Sequence, residues 1–217
     1  MIGLIVATAI ACKKQDTDII YGYECYPTNA GHYVVYDVID IFHDELLLKH
    51  DTNAYQIKEL IGEQEIDLEG DPFRKLYRYK RLNDTLDWVL KDVWALKPTN
   101  RSIELVEENK RRIKMVFSIS YDQYWNINVY NNDDAENAYY DNIYQPITIG
   151  GIDYDSSVTV KQHYFTSYIE HIRAYEIYSP GVGKIYSYRA DLDINNGDST
   201  DIYYGTELYY TAKEWGN

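Results

Sequence analysis

A mainly β domain is what this sequence predicts: an antiparallel meander of about ten strands, curled into a barrel, a half-barrel or a sandwich. Three observations predict it. Apolar residues recur with period two along most of the chain, and helix-period stretches are poor. Turn-forming clusters interrupt the alternation at intervals of roughly ten to fifteen residues. Tyrosine supplies 25 residues against four Phe and four Trp, and its ring suits a pleated face with one wet side, where the hydroxyl stays solvated.

The elements follow in chain order. YVVYDVIDIF, Tyr33 to Phe42, is apolar on both faces and reads as a central strand. DWVLKDVWAL places Trp88, Leu90, Trp94 and Leu96 on one face, with Asp92 at the odd position among them. RRIKMVFSISYD aligns Ile113, Met115, Phe117, Ile119 and Tyr121 against the mostly polar set Arg112, Lys114, Ser118, Ser120 and Asp122, a half-buried strand. SVTVKQHYF aligns Val158 and Val160. KIYSYRADLDI aligns Tyr186, Tyr188, Ala190, Leu192 and Ile194 against Ser187, Arg189, Asp191 and Asp193.

Turns are expected at His50–Asn53, Glu69–Pro72, Asn83–Asp84, Pro98–Asn100, Glu108–Asn109, Ser179–Gly181 and Asn195–Asp198. Asn131 to Asn142 is the longest polar insertion, read as a loop or short helix. No internal repeat and no second domain boundary interrupts the pattern. A meander of this length must close, curl or be covered to protect its edges.

Ahead of the sheet lies a different kind of segment. Ile2 to Ala11 is a ten-residue apolar run, too short to span a bilayer core of about 30 Å. It reads as a signal peptide over 1–11, with small Ala9 and Ala11 before Cys12. AIAC resembles a bacterial lipobox, in which the cysteine thiol is acylated and becomes the first residue, although Ala9 stands where Leu is usual. On that reading 12–31 is a tether and 32–217 a single β domain. Two or more acyl chains anchor a protein stably where one does not. Cys25 is then left without a partner in the chain and reads as a free thiol.

Charge excludes some partners. The formal net charge is −14, whereas nucleic-acid binding needs a basic surface. Adsorption to anionic lipid by charge alone is excluded on the same ground.

Several motifs resemble a known family as an ordered set: TLDWVLKDVW, VEENKRRIKMVF, Trp125-Asn126, ITIGGIDYDSSVTVKQ and EIYSPGVGKIYSY. They are similar to stretches of Bacteroidota outer-membrane lipoproteins with no assigned activity, and the likeness covers most of residues 50 to 215. Ser179-Pro180-Gly181 stands where members often carry a longer basic or amide-bearing residue. The resemblance implies a secreted, lipid-anchored, mainly β protein and carries no active-site residues with it. Lys13, Lys14, Gln15, Asp16 and Asp18 resemble the lysine-plus-acid signal for the outer face of that membrane, with the acids later than usual. The PGVGKI turn also looks like one in envelope carriers with a half-barrel fold.

Catalytic and metal motifs do not hold up. GVGK lacks the earlier glycine and the following Ser or Thr of a phosphate loop, since Tyr178 and Ile185 stand there, and is better explained as a hairpin turn. DLDINNGDSTD offers oxygen ligands but departs from a calcium loop at Asn196 and Ile202. His32, His43, His50, His163 and His171 show no zinc spacing, and Ser156-Ser157 lacks a nucleophile-elbow context. No cofactor and no catalytic residue is expected. Tyr77 and Tyr79, and Tyr203 and Tyr204, are candidate stacking residues for a glycan or peptide. The favoured expectation is a non-catalytic lipoprotein held in the outer membrane through Cys12, with a binding or assembly role toward a glycan or envelope protein. The alternatives are a carrier of an apolar ligand, its cavity lined by Trp88, Trp94, Phe117 and Ile119, and a surface glycan-binding protein.

Overall fold

The computed structural model describes residues 21–217; the leader read over 1–11, Cys12 and residues 13–20 lie outside them. Twelve antiparallel strands form one sheet: β1 (Tyr33–Asp44), β2 (Lys49–Ile66), β3 (Pro72–Arg81), β4 (Val89–Pro98), β5 (Ser102–Glu107), β6 (Lys110–Val116), β7 (Tyr124–Asn126), β8 (Asn137–Ile149), β9 (Ile152–Thr166), β10 (Glu170–Ser179), β11 (Gly183–Asn195) and β12 (Asp198–Gly216). Each strand pairs with its chain neighbour except at β6 and β7, and β1 pairs with β12, so the order runs β6-β5-β4-β3-β2-β1-β12-β11-β10-β9-β8-β7. The outcome is a nearly closed up-and-down barrel, one of the forms the alternation predicts, and β1 lies in the middle of the sheet as its two apolar faces require.

The seam falls between the two edge strands and is closed by individual bonds rather than a ladder. Ile113 N donates to Ile127 O (3.0 Å), and Trp125 Nε1 donates to Ile113 O (3.1 Å). The Tyr140 hydroxyl donates to Val116 O (2.6 Å) and accepts from Val116 N (3.0 Å). Edge groups that would otherwise be open to another chain are thereby satisfied.

Register is pinned by two-residue turns. Glu108 and Asn109, Gly150 and Gly151, and Asn196 and Gly197 all have positive φ in both central positions, the geometry whose twist matches the flanking strands. The expected turn at His50–Asn53 is instead part of β2; the chain reverses at Glu45–Leu48. The strand expected over 111–122 ends at Val116, leaving Tyr121 exposed. The polar insertion is a loop up to Glu136, and β8 begins at Asn137.

One apolar cluster gathers Leu96, Ile103, Met115, Tyr140, Val158, Val160 and Cys25. A second involves the tip of the β8–β9 hairpin: Gly150 meets Thr211 and Ala212 of β12, and the Tyr154 ring lies 5.8 Å from Trp215.

The tether expected over 12–31 is corrected for its described part. Tyr21 to Gly31 pack into one end of the barrel through a short 3-10 turn, Tyr23–Cys25. Ile119 N donates to Tyr21 O, Gly181 N to Glu24 O, and Gly31 N to Ile61 O. Cys25 is wholly buried, and the Tyr26 ring meets Tyr178 at 5.8 Å. An apolar Cys-Tyr pair cannot stay in water when a cavity end is available to cover it.

Candidate functional site

Eight strands close a barrel whose interior side chains just fill it, and the diameter grows with strand number. Twelve strands leave room, and the lumen holds a cavity of about 380 Å³. Its floor is the N-terminal segment, through Tyr26 and Pro27, with Val182 and Gly183 from the β10–β11 turn. From there it runs toward the β5–β6 turn, where Glu108 and Lys110 are exposed.

The walls are charged. Arg78 Nε donates to Glu59 Oε1 (3.3 Å) and its Nη1 to Asp92 (3.0 Å). Lys114 Nζ lies 2.9 Å from Glu176 Oε1 and 3.9 Å from Glu107. Glu176 Oε2 also accepts from Gln162 (2.9 Å) and the Tyr178 hydroxyl (2.8 Å). Lys184 Nζ approaches Glu59 only to 3.5 Å and sits over the rings of Tyr36 and Tyr210. Arg78 covers the Trp94 ring at 3.7 Å.

Burial and pairing set the protonation states in opposite directions. Burial alone would raise the Glu176 carboxyl, but Lys114 and Lys184 outweigh it and hold it down at about 2. Burial likewise opposes ionisation of Glu59, and Lys184 and Arg78 lower it. Lys114 is pushed down by burial and up, decisively, by Glu176 and Glu107. Tyr26, Tyr36 and Tyr178 are raised far above the usual phenol range, by burial first and then by Glu59 and Glu176. The pairs therefore stay ionised and the hydroxyls stay donors, as buried charges require partners.

Two lining donors have no acceptor: Arg112 Nε and Trp94 Nε1 are buried and unbonded. Arg112 uses its other nitrogens on Glu107 (3.4 Å) and Asp133 (3.3 Å).

No protein-family model matches the chain, and no curated protein sequence matches it. Among solved structures, the chain is similar to that of a candidate lipoprotein from Parabacteroides distasonis. The two are 12% identical, with a TM-score of 0.45, over 92% of this chain and 100% of that one.

The expected site residues fall elsewhere than the cavity. Tyr77 and Tyr79 stand side by side on β3 with ring centroids 6.5 Å apart, half-buried, Tyr77 lying over Gly62. Tyr203 and Tyr204 are exposed on β12, where Tyr204 meets Phe42 edge-on at 5.5 Å. Strands β2 and β1 separate the two pairs, so they form no common platform. Of the four residues expected to line a carrier cavity, Trp94 alone does so. Trp88 lies under Arg81, Phe117 against Tyr23, and Ile119 against Gly22.

Lys114 and Lys184 are aimed at the cavity by β-bulges, whereas Glu59, Arg78 and Glu176 face it by plain alternation, with Ile61, Leu76 and Tyr178 on the same faces. Lys114 is itself the unpaired residue of the β5–β6 bulge. In β11 the unpaired residue is Ile185, next to Lys184. A strict period-two reading assigns Arg112 and Lys114 to solvent.

Two other polar clusters are structural. Asp67, Glu69 and Asp71 lie close enough for a cation, but Lys97 Nζ already sits 2.8 Å from Asp67 and 3.2 Å from Asp71. His43 links His50 (3.1 Å) to Glu207 (3.0 Å), and Glu207 also accepts from Tyr188 and Tyr209. Burial alone would raise the Glu207 carboxyl; the bonds from Tyr209, Tyr188 and His43 lower it.

Proposed function

We propose that this chain is a non-catalytic, lipid-anchored lipoprotein of the bacterial outer membrane whose barrel binds a small molecule in its lumen. The observation that carries the binding reading is the 380 Å³ cavity, within the usual range for small-molecule sites of roughly 300–1,000 Å³. Support for the anchor comes from the sequence around Cys12. Eight residues lie between it and Tyr21, at most about 30 Å of extended chain, which keeps the plugged end of the barrel near the bilayer.

The fluorescent probe N-phenyl-1-naphthylamine tests the lumen. It binds the full-length Cys12→Ala chain with enhanced emission, and Ser187→Trp, which fills the cavity wall, abolishes the enhancement while far-UV circular dichroism stays native. Unchanged emission in the Ser187→Trp chain sinks the lumen as the site. Metabolic labelling with an alkyne fatty acid tests the anchor: the native chain is labelled and membrane-bound, and Cys12→Ala is neither.

A further inference from the structure

We infer that the rim of the barrel opposite the N-terminal plug is a docking surface for a basic, amphipathic segment of a partner protein. Three consecutive leucines, Leu46, Leu47 and Leu48, lie in the β1–β2 turn and are 76%, 63% and 87% exposed. Glu45 N donates to Tyr203 O, which holds the turn against β12. Tyr204 is exposed beside it and meets Phe42 edge-on at 5.5 Å. An exposed apolar patch with a polar rim marks an interaction site. The face bearing Phe42 and Tyr204 continues the lumen wall: Leu208, Arg189 and Ala174, further along the same strands from Tyr204, Asp193 and Glu170, line the cavity.

Charge chooses the occupant. Tyr204 stands between Asp44 on β1 and Asp193 on β11, and Asp193 is directly opposite Glu170 on β10. In the next row Asp51, Phe42, Thr206 and Asp191 face one another in turn. Lys49, opposite Asp44, is the cation of these two rows, and the row beyond adds Asp40 and Arg189, which cancel. Among the described residues none of Asp44, Asp51, Glu170, Asp191 and Asp193 forms an ion pair. Like charges set directly opposite, as in Asp193 and Glu170, cost stability that a cation from outside recovers. A bilayer bearing anionic lipid is repelled by such a rim. A second copy docked through the same patch about a twofold axis sets these carboxylates against themselves. A segment carrying Lys or Arg instead meets the carboxylates and the Tyr204 ring, while its apolar residues cover the leucines.

Fluorescence anisotropy with the full-length Cys12→Ala chain decides it, using labelled synthetic peptides of repeating Lys-Leu, Lys-Ser and Glu-Leu. The Lys-Leu peptide is expected to bind about tenfold more tightly than Lys-Ser, a difference of about 1.4 kcal/mol, and Glu-Leu not to bind. Leu46→Ser, Leu47→Ser and Leu48→Ser together remove the preference over Lys-Ser. Asp193→Asn with Glu170→Gln weakens Lys-Leu binding about threefold. Asp153→Asn with Asp155→Asn, which removes two exposed carboxylates beside the β8–β9 turn at the other end, leaves it unchanged. All these positions are exposed, so the variants keep the fold. Equal binding of Lys-Leu and Lys-Ser, or a preference that survives the three leucine replacements, overturns the inference. Dimerisation, or flotation with phosphatidylglycerol vesicles, that the leucine replacements abolish also overturns it and gives the patch to a second copy or to a bilayer.

Discussion

Lys114 Nζ lies 2.9 Å from Glu176 Oε1, and the bond joins two halves of the barrel that share no ladder at the seam. Lys114 is on the edge strand β6, whereas Glu176 is on β10, reached through β7, β8 and β9. Glu59 with Lys184, and Arg78 with Tyr210, make similar ties between β2 and β11 and between β3 and β12. These contacts hold the lumen at a fixed width while leaving its centre open.

Lys114→Met leaves Glu176 buried without its nearest cation. Removing one partner of a buried pair costs roughly 3–5 kcal/mol. Urea denaturation should show a loss of that size, and the double variant Lys114→Met with Glu176→Met should recover most of it.

The Glu176 carboxyl, held at about 2, makes stability pH-dependent with a definite sign. A folded-state value below the unfolded one, near 4.3–4.5, means stability fully present above the unfolded value and lost as pH falls toward about 2. The contribution is on the order of 3 kcal/mol. Titrating stability between pH 5 and 2 should give a steep decline in the native chain and a flatter one in Glu176→Gln.

Tyr140→Phe removes the hydroxyl that both donates to and accepts from Val116. Two buried backbone groups lose their partner, at about 1–3 kcal/mol. Amide exchange at Val116 and its β6 neighbours should accelerate, while exchange in β1 should change only with global stability.

Gly205 has φ +132°, and a Cβ there would meet Asp191 O at 2.2 Å. Gly205→Ala should cost about 3 kcal/mol or more, because the obstacle is the backbone of β11 rather than a movable side chain. A melting temperature within a degree of the native one would contradict this packing.

The Cys25 thiol is pushed up to about 12 by burial and by Glu24. It should resist a thiol-specific disulfide reagent at pH 8 in the folded chain and react at once in guanidinium. Fast labelling without denaturant would mean that the N-terminal plug opens readily.

Much of the β class was legible from alternation and turn chemistry. KIYSYRADLDI buries Ala190, Leu192 and Ile194 and exposes Arg189, Asp191 and Asp193, as its period demands. Leu90 shows where that logic stops: the irregularity between Arg78 and Tyr79 leaves Lys91 unpaired and exposes Leu90. The tyrosines singled out by composition stand on β3 and β12, where the cavity is lined instead by Leu76, Arg78, Leu208 and Tyr210, and Cys12 lies outside the described residues.

By itself the sequence determined that this is an antiparallel β chain with several two-residue turns, because side-chain period and positive-φ turn residues are local properties. Only the tertiary structure decided that the meander nearly closes, that residues 21–31 plug one end, and that Glu59, Arg78, Lys114, Glu176 and Lys184 surround one cavity. Those outcomes depend on strand number and on how the sheet curls, and for Lys114 and Lys184 on bulges, which shift a side chain from one face to the other without leaving a mark in the residue pattern.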